Sequence, residues 1–482
     1  MKKTLAMILC LVLCAALFAG CGSTAEAPAA APAADSAADA APAEAITLKL
    51  ADNGADTMPN VIAARKFAEL ANEYTNGTVT VEVFSNGVLG DEASVADQLQ
   101  AGTTGMAPSC PALRAASMPF LFATDQAKYD AFDGEFGQAL SEAVLEDTGI
   151  VNLTYFFATA RSFYTVDKPI TCVADMAGLK IRSQEDPIVM AMFEALGAKA
   201  TPMNYSEVYS ALETKIVDGA ENDMTSYYTS GHYEVAPYYS LDKHTALGSL
   251  FCISGKAWDS LSADQQDALK KAAQEASIRK YARMLADSVY TGGYSGIDLD
   301  YEPNVGGAGC KRELSNRDNF YIFVDELGKY LGPKSGTDKL LVIDGEINAV
   351  EGRCMPYFDY FIWQAYSTSS DSGLNTYIST VIRNGSGYME PEELIRKLYT
   401  TVNFEQYAAE GGGSYTGGIN RLLGQALWKP TWEGKTYRKG GLGSYHIEYE
   451  YYLSGKSGFY PWTRQAINAV HRSENEEEVP NE

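Results

Sequence analysis

Histidine is scarce in this chain of 482 residues, and its cysteines follow no pattern. The histidines are too scattered for a histidine-based metal site, since they stand at His232, His244, His446 and His471. Beyond the N-terminal segment, the cysteines form an odd and widely spaced set: Cys110, Cys172, Cys252, Cys310 and Cys354. Such a set predicts neither a disulfide framework nor a metal site. We therefore expect no metal and no other cofactor.

Basic side chains are much fewer than acidic ones. There are 38 Lys and Arg residues against 62 Asp and Glu, which gives a net charge of −24. Nucleic acid is excluded as a partner, because phosphate contacts need a basic surface. A hydrophobic content of 46% fits globular α/β material, and the length allows two or more domains.

The apolar run at the N-terminus, from Leu5 to Phe18, is too short and too early in the chain to be a membrane span. Two lysines precede it, which is typical of an export signal, so we interpret residues 1–20 as a signal peptide. The residues Leu17-Phe-Ala-Gly-Cys21 resemble a bacterial lipobox. This predicts a lipid on Cys21 and a protein held on the outer face of the bacterial cytoplasmic membrane.

Residues 22–45 are almost all Ala, Pro, Ser, Asp and Glu. A segment of this composition cannot bury a core. We expect residues 21–45 to form a flexible, lipid-anchored linker.

Alternating apolar residues first appear at Ile46–Ala51 and return at Val79–Phe84, with an amphipathic helix predicted between them at Val61–Tyr74. This βαβ pattern predicts an open α/β sheet. A capping box, Ser262 to Gln265, begins a helix that the pattern continues to Tyr290.

Beyond Tyr290 the composition changes, because Tyr, Gly and Trp become frequent. Buried parallel strands are predicted at Leu340–Asp344 and Phe358–Trp363. The pattern also predicts a helix at Pro391–Tyr399 and a last strand at Gly443–Tyr452. An acidic tail, residues 473–482, is expected to be disordered.

Residues from about Ile46 to Ala276 resemble the extracytoplasmic solute-binding proteins of TRAP transporters, of the DctP type. Four blocks carry the resemblance: Met118–Phe122, Ala174–Arg182, Gly197–Met203 and Glu207–Asn222. The resemblance implies a two-lobe, Venus-flytrap α/β domain over residues 46–276 that lacks the family's final segment. It also implies a small carboxylate ligand and TRAP membrane permease subunits as partners.

The resemblance implies three ligand-binding residues. Arg182 would be the main carboxylate clamp, Arg161 a second contact to the anion, and Asn222 an amide that hydrogen-bonds the ligand. Chemistry supports the first role, because a guanidinium at a strand end can pair with both oxygens of a carboxylate. The alternative is that Arg182 forms a surface ion pair.

The segment Ser295–Pro303 places acids at every second position. In a strand, Asp298, Asp300 and Glu302 point to one face. Carboxylates packed in this way raise one another's pKa, which can keep one of them protonated near neutral pH. The alternative is a solvated, acidic edge strand.

This segment resembles the Asp-x-x-Asp-x-Asp-x-Glu signature of family 18 glycoside hydrolases, with Ser295 in place of the first Asp. Residues 277–472 resemble the endo-β-N-acetylglucosaminidase kind but lack the first three βα units of the barrel. The resemblance implies that Glu302 is the general acid/base and that Asp300 orients the substrate's N-acetyl group. It implies that Asp298 tunes Asp300 by sharing a proton or a hydrogen bond with it. It also implies sugar contacts from Gln364, Tyr366 and Trp428.

Three hypotheses follow. The chain is a lipid-anchored carboxylate-binding protein for TRAP-type transport, or an enzyme that hydrolyses N-acetylglucosamine linkages in glycans, or a non-functional chimera of two gene fragments. As a description of the chain we favour a chimera with its junction between Glu275 and Tyr281. As a description of its function we favour the carboxylate-binding protein. The catalytic residues are expected to be present, with activity absent or very low because the barrel is truncated.

Overall fold

The computed structural model describes residues 45–107, 118–157, 160–245, 248–304, 314–453 and 460–474. The predicted signal peptide, the lipidation site Cys21 and the linker up to Glu44 lie outside these ranges, as do Cys110 and Cys310. Within the described ranges, no helix combines the length and the apolar character needed to cross a membrane.

The first part of the chain alternates strands and helices. Its strands are β1 (Ile46–Ala51), β2 (Val79–Phe84), β3 (Met106–Ala107), β4 (Ile150–Phe157), β5 (Arg161–Thr165), β6 (Lys180–Ser183), β7 (Lys199–Pro202), β8 (Gly219–Asp223), β9 (Tyr238–Tyr239) and β10 (Gly248–Ser254). Its helices are α1 (Pro59–Tyr74), α2 (Glu92–Ala101), α3 (Asp125–Asp133), α4 (Glu135–Thr148), α5 (Pro187–Ala195), α6 (Val208–Glu213), α7 (Met224–Thr229), α8 (His232–Val235), α9 (Gly255–Asp259) and α10 (Ala263–Thr291).

These strands form two sheets, which we call the first and second lobes. The first lobe has the strand order β2-β1-β3-β10-β4, and the second has β7-β6-β8-β5-β9. The chain passes from the first lobe to the second between β4 and β5, and returns between β9 and β10. This is the two-lobe architecture predicted for residues 46–276.

The core of the first lobe follows from strand alternation. β1 pairs in parallel with β2, and Leu48 and Leu50 point inward from β1. Phe67 of α1 packs edge-on against Phe251 of β10, with 4.7 Å between ring centroids. Aromatic burial of this kind supplies much of the stability of such a layer.

Helix α10 contributes to two hydrophobic cores. Its N-terminus has the predicted capping box: Ser262 Oγ accepts from the Gln265 amide at 3.2 Å, and Gln265 Oε1 accepts from the Ser262 amide at 2.9 Å. Its first half enters the core of the first lobe through Leu269, Ala272, Ala273 and Ala276. Its second half enters the core of the C-terminal sheet through Ile278, Ala282, Ala286 and Val289. The change of core lies inside the interval from 275 to 281 that the sequence favours for a junction.

The C-terminal part of the chain contains the third sheet and two small two-stranded sheets. Its strands are β11 (Gly296–Tyr301), β12 (Leu340–Gly345), β13 (Tyr360–Trp363), β14 (Leu398–Asn403), β15 (Ser414–Tyr415), β16 (Ile419–Asn420), β17 (Thr431–Trp432), β18 (Lys435–Thr436) and β19 (Gly441–Tyr445). Its helices are α11 (Arg317–Leu327), α12 (Asp371–Gly385), α13 (Pro391–Arg396), α14 (Phe404–Tyr407), α15 (Arg421–Leu427), α16 (Glu448–Leu453) and α17 (Pro461–Glu474).

The third sheet has five strands in the order β11-β12-β13-β14-β19, and all of them are parallel. β11 and β19 are its two edges. Residues of β12 and β13 such as Leu341, Ile343 and Phe361 are fully buried, as the predicted parallel strands require.

Two elements predicted in this part end earlier than the sequence pattern indicates. The helix predicted at Pro391–Tyr399 ends at Arg396, because Leu398 already begins β14 and pairs with Phe361 of β13. The strand predicted at Gly443–Tyr452 ends at Tyr445, where its ladder with β14 ends; His446 then has φ 55° and a helix follows. In both places pairing with a neighbouring strand overrides local pattern.

The strand predicted at Phe358–Trp363 begins later, at Tyr360. Asp359 accepts the backbone amide of Leu341 with its side chain at 2.8 Å, which replaces a ladder bond. Of the predicted disordered tail, Ser473 and Glu474 belong to α17, and residues 475–482 lie outside the described ranges.

Arg279 joins the halves of the molecule. From α10 it contacts Glu275 at 2.8 Å and, on α11, Asp325 at 3.1 Å and Glu326 at 3.0 Å. Glu275 in turn accepts from Tyr74 of α1 at 2.5 Å. The Arg279 side chain is 16% exposed, so water screens these contacts weakly.

We predict that Arg279→Met lowers the free energy of unfolding by about 2 to 3 kcal/mol, because the partly buried carboxylates of Glu275 and Asp325 lose their cation and Glu326 keeps only Lys329. Urea unfolding followed by circular dichroism measures this. The control Arg396→Met removes a solvent-exposed pair with Glu392 and should cost less than about 0.5 kcal/mol. Equal effects of the two substitutions would contradict the role given to Arg279.

Candidate functional site

The cleft face of the second lobe carries a buried ion pair. Arg161, at the start of β5, contacts Glu221 of β8 through Nε at 2.5 Å and Nη2 at 2.8 Å. Its Nη2 also donates to the carbonyl of Glu221, and its Nη1 donates to Asn222 Oδ1 at 2.7 Å. Four of its five N–H groups are thus used within the protein, which leaves one for a ligand.

The sequence analysis did not identify Glu221 as a site residue, although its ion pair determines how much of the charge of Arg161 remains uncompensated. Burial would raise the pKa of this carboxyl, but Arg161 and His244 more than offset burial and lower it. Burial also opposes the charge on His244, yet its contacts with Asp242 and Glu221 raise its pKa. Within the protein, the charge of Arg161 is therefore largely compensated by Glu221.

Arg182 on β6 is different. It is 3% exposed, and its Nε and Nη2 donate to the carbonyl of Met203 at 3.2 and 2.9 Å. Its guanidinium carbon is 5.7 Å from the ring centroid of Tyr205. In the described part of the chain it makes no ion pair, and burial lowers its pKa. The alternative of a surface ion pair is therefore excluded.

Asn222 lies beside Arg161 and is 4% exposed. Its Oδ1 accepts from Arg161 and from the backbone amide of Asp223 at 2.9 Å. The amide oxygen is thus occupied, so a ligand would meet the Nδ2 donor. The next residue, Asp223, caps α7 by accepting from Ser226.

A cavity of about 930 Å³ lies between the second lobe, the second half of α10 and the segment that follows α11. Ser162, Tyr239, Tyr228, Arg283 and Tyr330 are among its lining residues. Its lining includes none of the sequence-predicted site residues. The volume alone therefore does not identify the site.

In the third sheet, β11 has the alternation that the sequence predicted. Asp298 and Asp300 are exposed, Ile297 and Leu299 pack against the core, and Tyr301 is buried. Although the Asp298 side chain reaches solvent, the surrounding protein removes part of its hydration, and this together with the charge of Asp300 raises its pKa.

Glu302 follows directly after β11, and its pKa is raised by partial burial and by Asp300. Gln364, at the end of β13, donates its amide to Asp300 Oδ1 at 3.3 Å. The structure thus brings Gln364 to the carboxylates. The charges of Asp344 and Asp300 also act on Tyr366: burial and these two charges raise the pKa of its hydroxyl.

Asp344 is an acid that the sequence analysis missed. It lies on β12 directly opposite Asp300 in the parallel register. Burial, together with Asp298 and Asp300, raises its pKa to about 6, although the Gly345 amide opposes the shift. The signal was present, because Asp344 ends a buried strand, and ligands bind at the carboxyl ends of parallel strands.

The prediction of a sugar contact at Trp428 is wrong. Its side chain is 1% exposed and belongs to the hydrophobic core of the third sheet. Its indole nitrogen donates to Asn375 Oδ1 at 3.1 Å. A ring without a free face cannot stack on a sugar.

Two family models match the chain. Bacterial extracellular solute-binding protein, family 7, matches residues 50–288, and glycoside hydrolase family 18, BT1044-like, matches residues 257–469. The two matches overlap over residues 257–288, which include most of α10. Both resemblances seen in the sequence are thereby confirmed.

Curated relatives match the first part. A solute-binding protein of Chromohalobacter salexigens is 38% identical over 46% of this chain and 69% of its own length. The C4-dicarboxylate-binding periplasmic protein DctP of Rhodobacter capsulatus is 34% identical over 49% of this chain and 73% of its length. The 2,3-diketo-L-gulonate-binding periplasmic protein YiaO of Escherichia coli is 31% identical over 50% of this chain and 75% of its length.

Next to Arg182, His232 makes the second lobe sensitive to acid. It is 1% exposed, contacts the Tyr164 hydroxyl through Nδ1 at 2.7 Å, and has its pKa lowered from 6.5 to about 4 by burial and by Arg182. The unfolded state therefore binds more protons than the folded state in this window, and stability falls as the pH drops from 6.5 towards 4.

We predict that His232→Gln reduces the loss of unfolding free energy between pH 7 and pH 4 by up to about 3 kcal/mol, because glutamine takes up no proton. Urea unfolding at a series of pH values measures this. His446→Gln, on a surface turn, is the control and should behave like the wild type. An unchanged acid profile in His232→Gln would contradict the prediction.

Proposed function

The chain belongs to bacterial extracellular solute-binding protein family 7, and we propose that it binds a small organic carboxylate between its two lobes for delivery to a TRAP-type permease. One observation carries the proposal: Arg182 is buried at the end of a cleft strand and has no ion pair in the described part of the chain. A buried guanidinium of this kind is stabilised by an anion that supplies the missing charge.

The names of the relatives support the ligand class. One binds C4-dicarboxylates and another 2,3-diketo-L-gulonate, so both bind carboxylates. A protein with a net charge of −24 repels anions at long range. Local cations such as Arg182 must then provide the attraction, with Asn222 Nδ2 and the last N–H of Arg161 as further donors.

We further propose that the protein acts outside the cytoplasm. Relatives named periplasmic support this, and the signal peptide at residues 1–20 provides a route of export. A lipid on Cys21 and the linker over 21–45 would tether the binding domain to the membrane.

For the C-terminal part, we propose a partial β/α barrel over residues 277–472. Five parallel strands in sequential order support this, because a complete barrel of this kind has eight. The domain boundary near residue 276 is supported by the change of core along α10. With the first three βα units missing, we expect little or no glycosidase activity.

A second candidate function is hydrolysis of N-acetylglucosamine linkages. The contact between Gln364 and Asp300, with Glu302 close by, favours it. In this reaction the substrate's N-acetyl oxygen bonds to the anomeric carbon while Glu302 gives its proton to the leaving oxygen. Asp300 orients the N-acetyl group, and water then opens the cyclic intermediate with Glu302 as base.

We predict that Arg182→Ala weakens binding of the tightest-binding acid in a panel of small carboxylates by about 100-fold, because a charge-assisted, bidentate contact is lost. Isothermal titration calorimetry measures this. Lys180→Ala, on the same strand but exposed, is the control and should keep wild-type affinity. Binding of no acid by the wild type would refute the proposed function.

For the C-terminal part, we predict little or no release of glycan from a high-mannose glycopeptide. Any release should fall at least about 100-fold in Glu302→Gln, which cannot donate the proton. Glu392→Gln is the control, because Glu392 is exposed on α13 and pairs with Arg396 at the surface. Rapid release that survives Glu302→Gln would rule out this chemistry.

A further inference from the structure

Asp52 is a buried acid with an unused oxygen. It follows β1 directly and is 8% exposed. Its Oδ1 accepts the Gly54 amide at 2.7 Å, whereas its Oδ2 is buried and has no hydrogen-bond partner in the described part of the chain. A buried acceptor without a donor costs stability, so each such case needs an explanation.

The loop around Asp52 is closely packed. A Cβ on Gly54 would come within 3.0 Å of Asp52 Oδ1 and 2.9 Å of Met58 Sδ. The side chain is therefore held by the loop, with Oδ1 fixed by the amide. This arrangement defines the position of Oδ2.

The position of Asp52 in its sheet points to the cleft. It stands at the carboxyl end of a parallel strand in the first lobe, where ligands of open α/β sheets bind. Glu92, at the start of α2, acts electrostatically on both Asp52 and Arg182. Lys280 of α10 acts on Asp52 and also on Asp223 of the second lobe. The charges of Glu92 and Lys280 thus act on groups of both lobes.

We propose that Asp52 determines ligand specificity by accepting a hydroxyl hydrogen, through Oδ2, from a ligand whose carboxylate is held by Arg182. This inference rests on the proposed function and makes it narrower. The cleft then selects hydroxylated carboxylates, that is sugar acids, over unsubstituted dicarboxylates. A hydroxyl donates to a carboxylate, but a second ligand carboxylate offers no donor and is repelled.

The charges around Asp52 agree with this selection. Lys280 is the nearby cation, and it is 7% exposed with Nζ 4.9 Å from the Phe156 ring centroid. The single charge of Lys280 acts on both Asp52 and Asp223, so it offsets only part of the negative charge of these two acids. Glu92 adds to it. The region around Asp52 is thus unfavourable for a second carboxylate.

The test uses three six-carbon acids and the full chain at pH 7.5. D-gluconate has one carboxylate and five hydroxyls, adipate has two carboxylates and no hydroxyl, and hexanoate has one carboxylate and no hydroxyl. By calorimetry, the wild type should bind D-gluconate at least about tenfold more tightly than adipate or hexanoate.

Two substitutions separate the hydrogen bond from the charge. Asp52→Ala should weaken D-gluconate binding at least about tenfold and leave hexanoate unchanged. Asp52→Asn should weaken D-gluconate less and strengthen adipate, because the negative charge is gone. Asp56→Asn is the matched control: it lies in the same loop, is exposed and pairs with Arg65, and should leave all three affinities unchanged.

Failures of the two proposals are distinguishable. If Arg182→Ala abolishes D-gluconate binding while Asp52→Ala does not change it, the specificity role is wrong and the carboxylate-binding function stands. Tighter wild-type binding of adipate than of D-gluconate also overturns the role. Because Asp52→Asn retains an acceptor for Gly54, its thermal midpoint should not fall. Loss of D-gluconate binding together with a lower midpoint would mark Asp52 as structural and overturn the inference.

Discussion

Helix α10 is the element on which the rest of the structure depends, because one continuous backbone fills two cores. Its residues up to Ala276 pack in the first lobe, and those from Ile278 pack under the third sheet. A helix is rigid over such a distance, so a shift at one end is transmitted to the other. Arg279 reinforces this by joining α10 to α11 beside the change of core.

The same helix affects the cleft. Lys280 is only four residues beyond Ala276, in the region that both family models match, yet it acts on acids of both lobes. Position along α10 decides which of its charges act on these acids, and those charges are only partly shielded by water because they are buried.

The two halves differ in how their polar groups are satisfied. Glu221 pairs with Arg161, whereas Arg182 donates to the Met203 carbonyl and makes no ion pair in the described part of the chain, so its charge is the less compensated of the two. In the third sheet the acids of β11 and β12 raise one another's pKa, and no cation in the described part of the chain pairs with Asp300. The binding half thus has a defined electrostatic task. The C-terminal half holds its acids beside β11, which is an edge strand of the third sheet in the part of the chain that the structure describes.

The sequence by itself determined the periodic features: β1, the capped helix α10, the alternating faces of β11 and the order of the two family segments. Each follows from neighbours within a few residues. The tertiary structure alone decided that, in the described part of the chain, Arg161 is ion-paired and Arg182 is not, that Trp428 is buried, and that one oxygen of Asp52 has no hydrogen-bond partner. These outcomes depend on contacts between residues far apart in the chain, such as Arg161 and Glu221, and burial and pairing of that kind leave no local pattern.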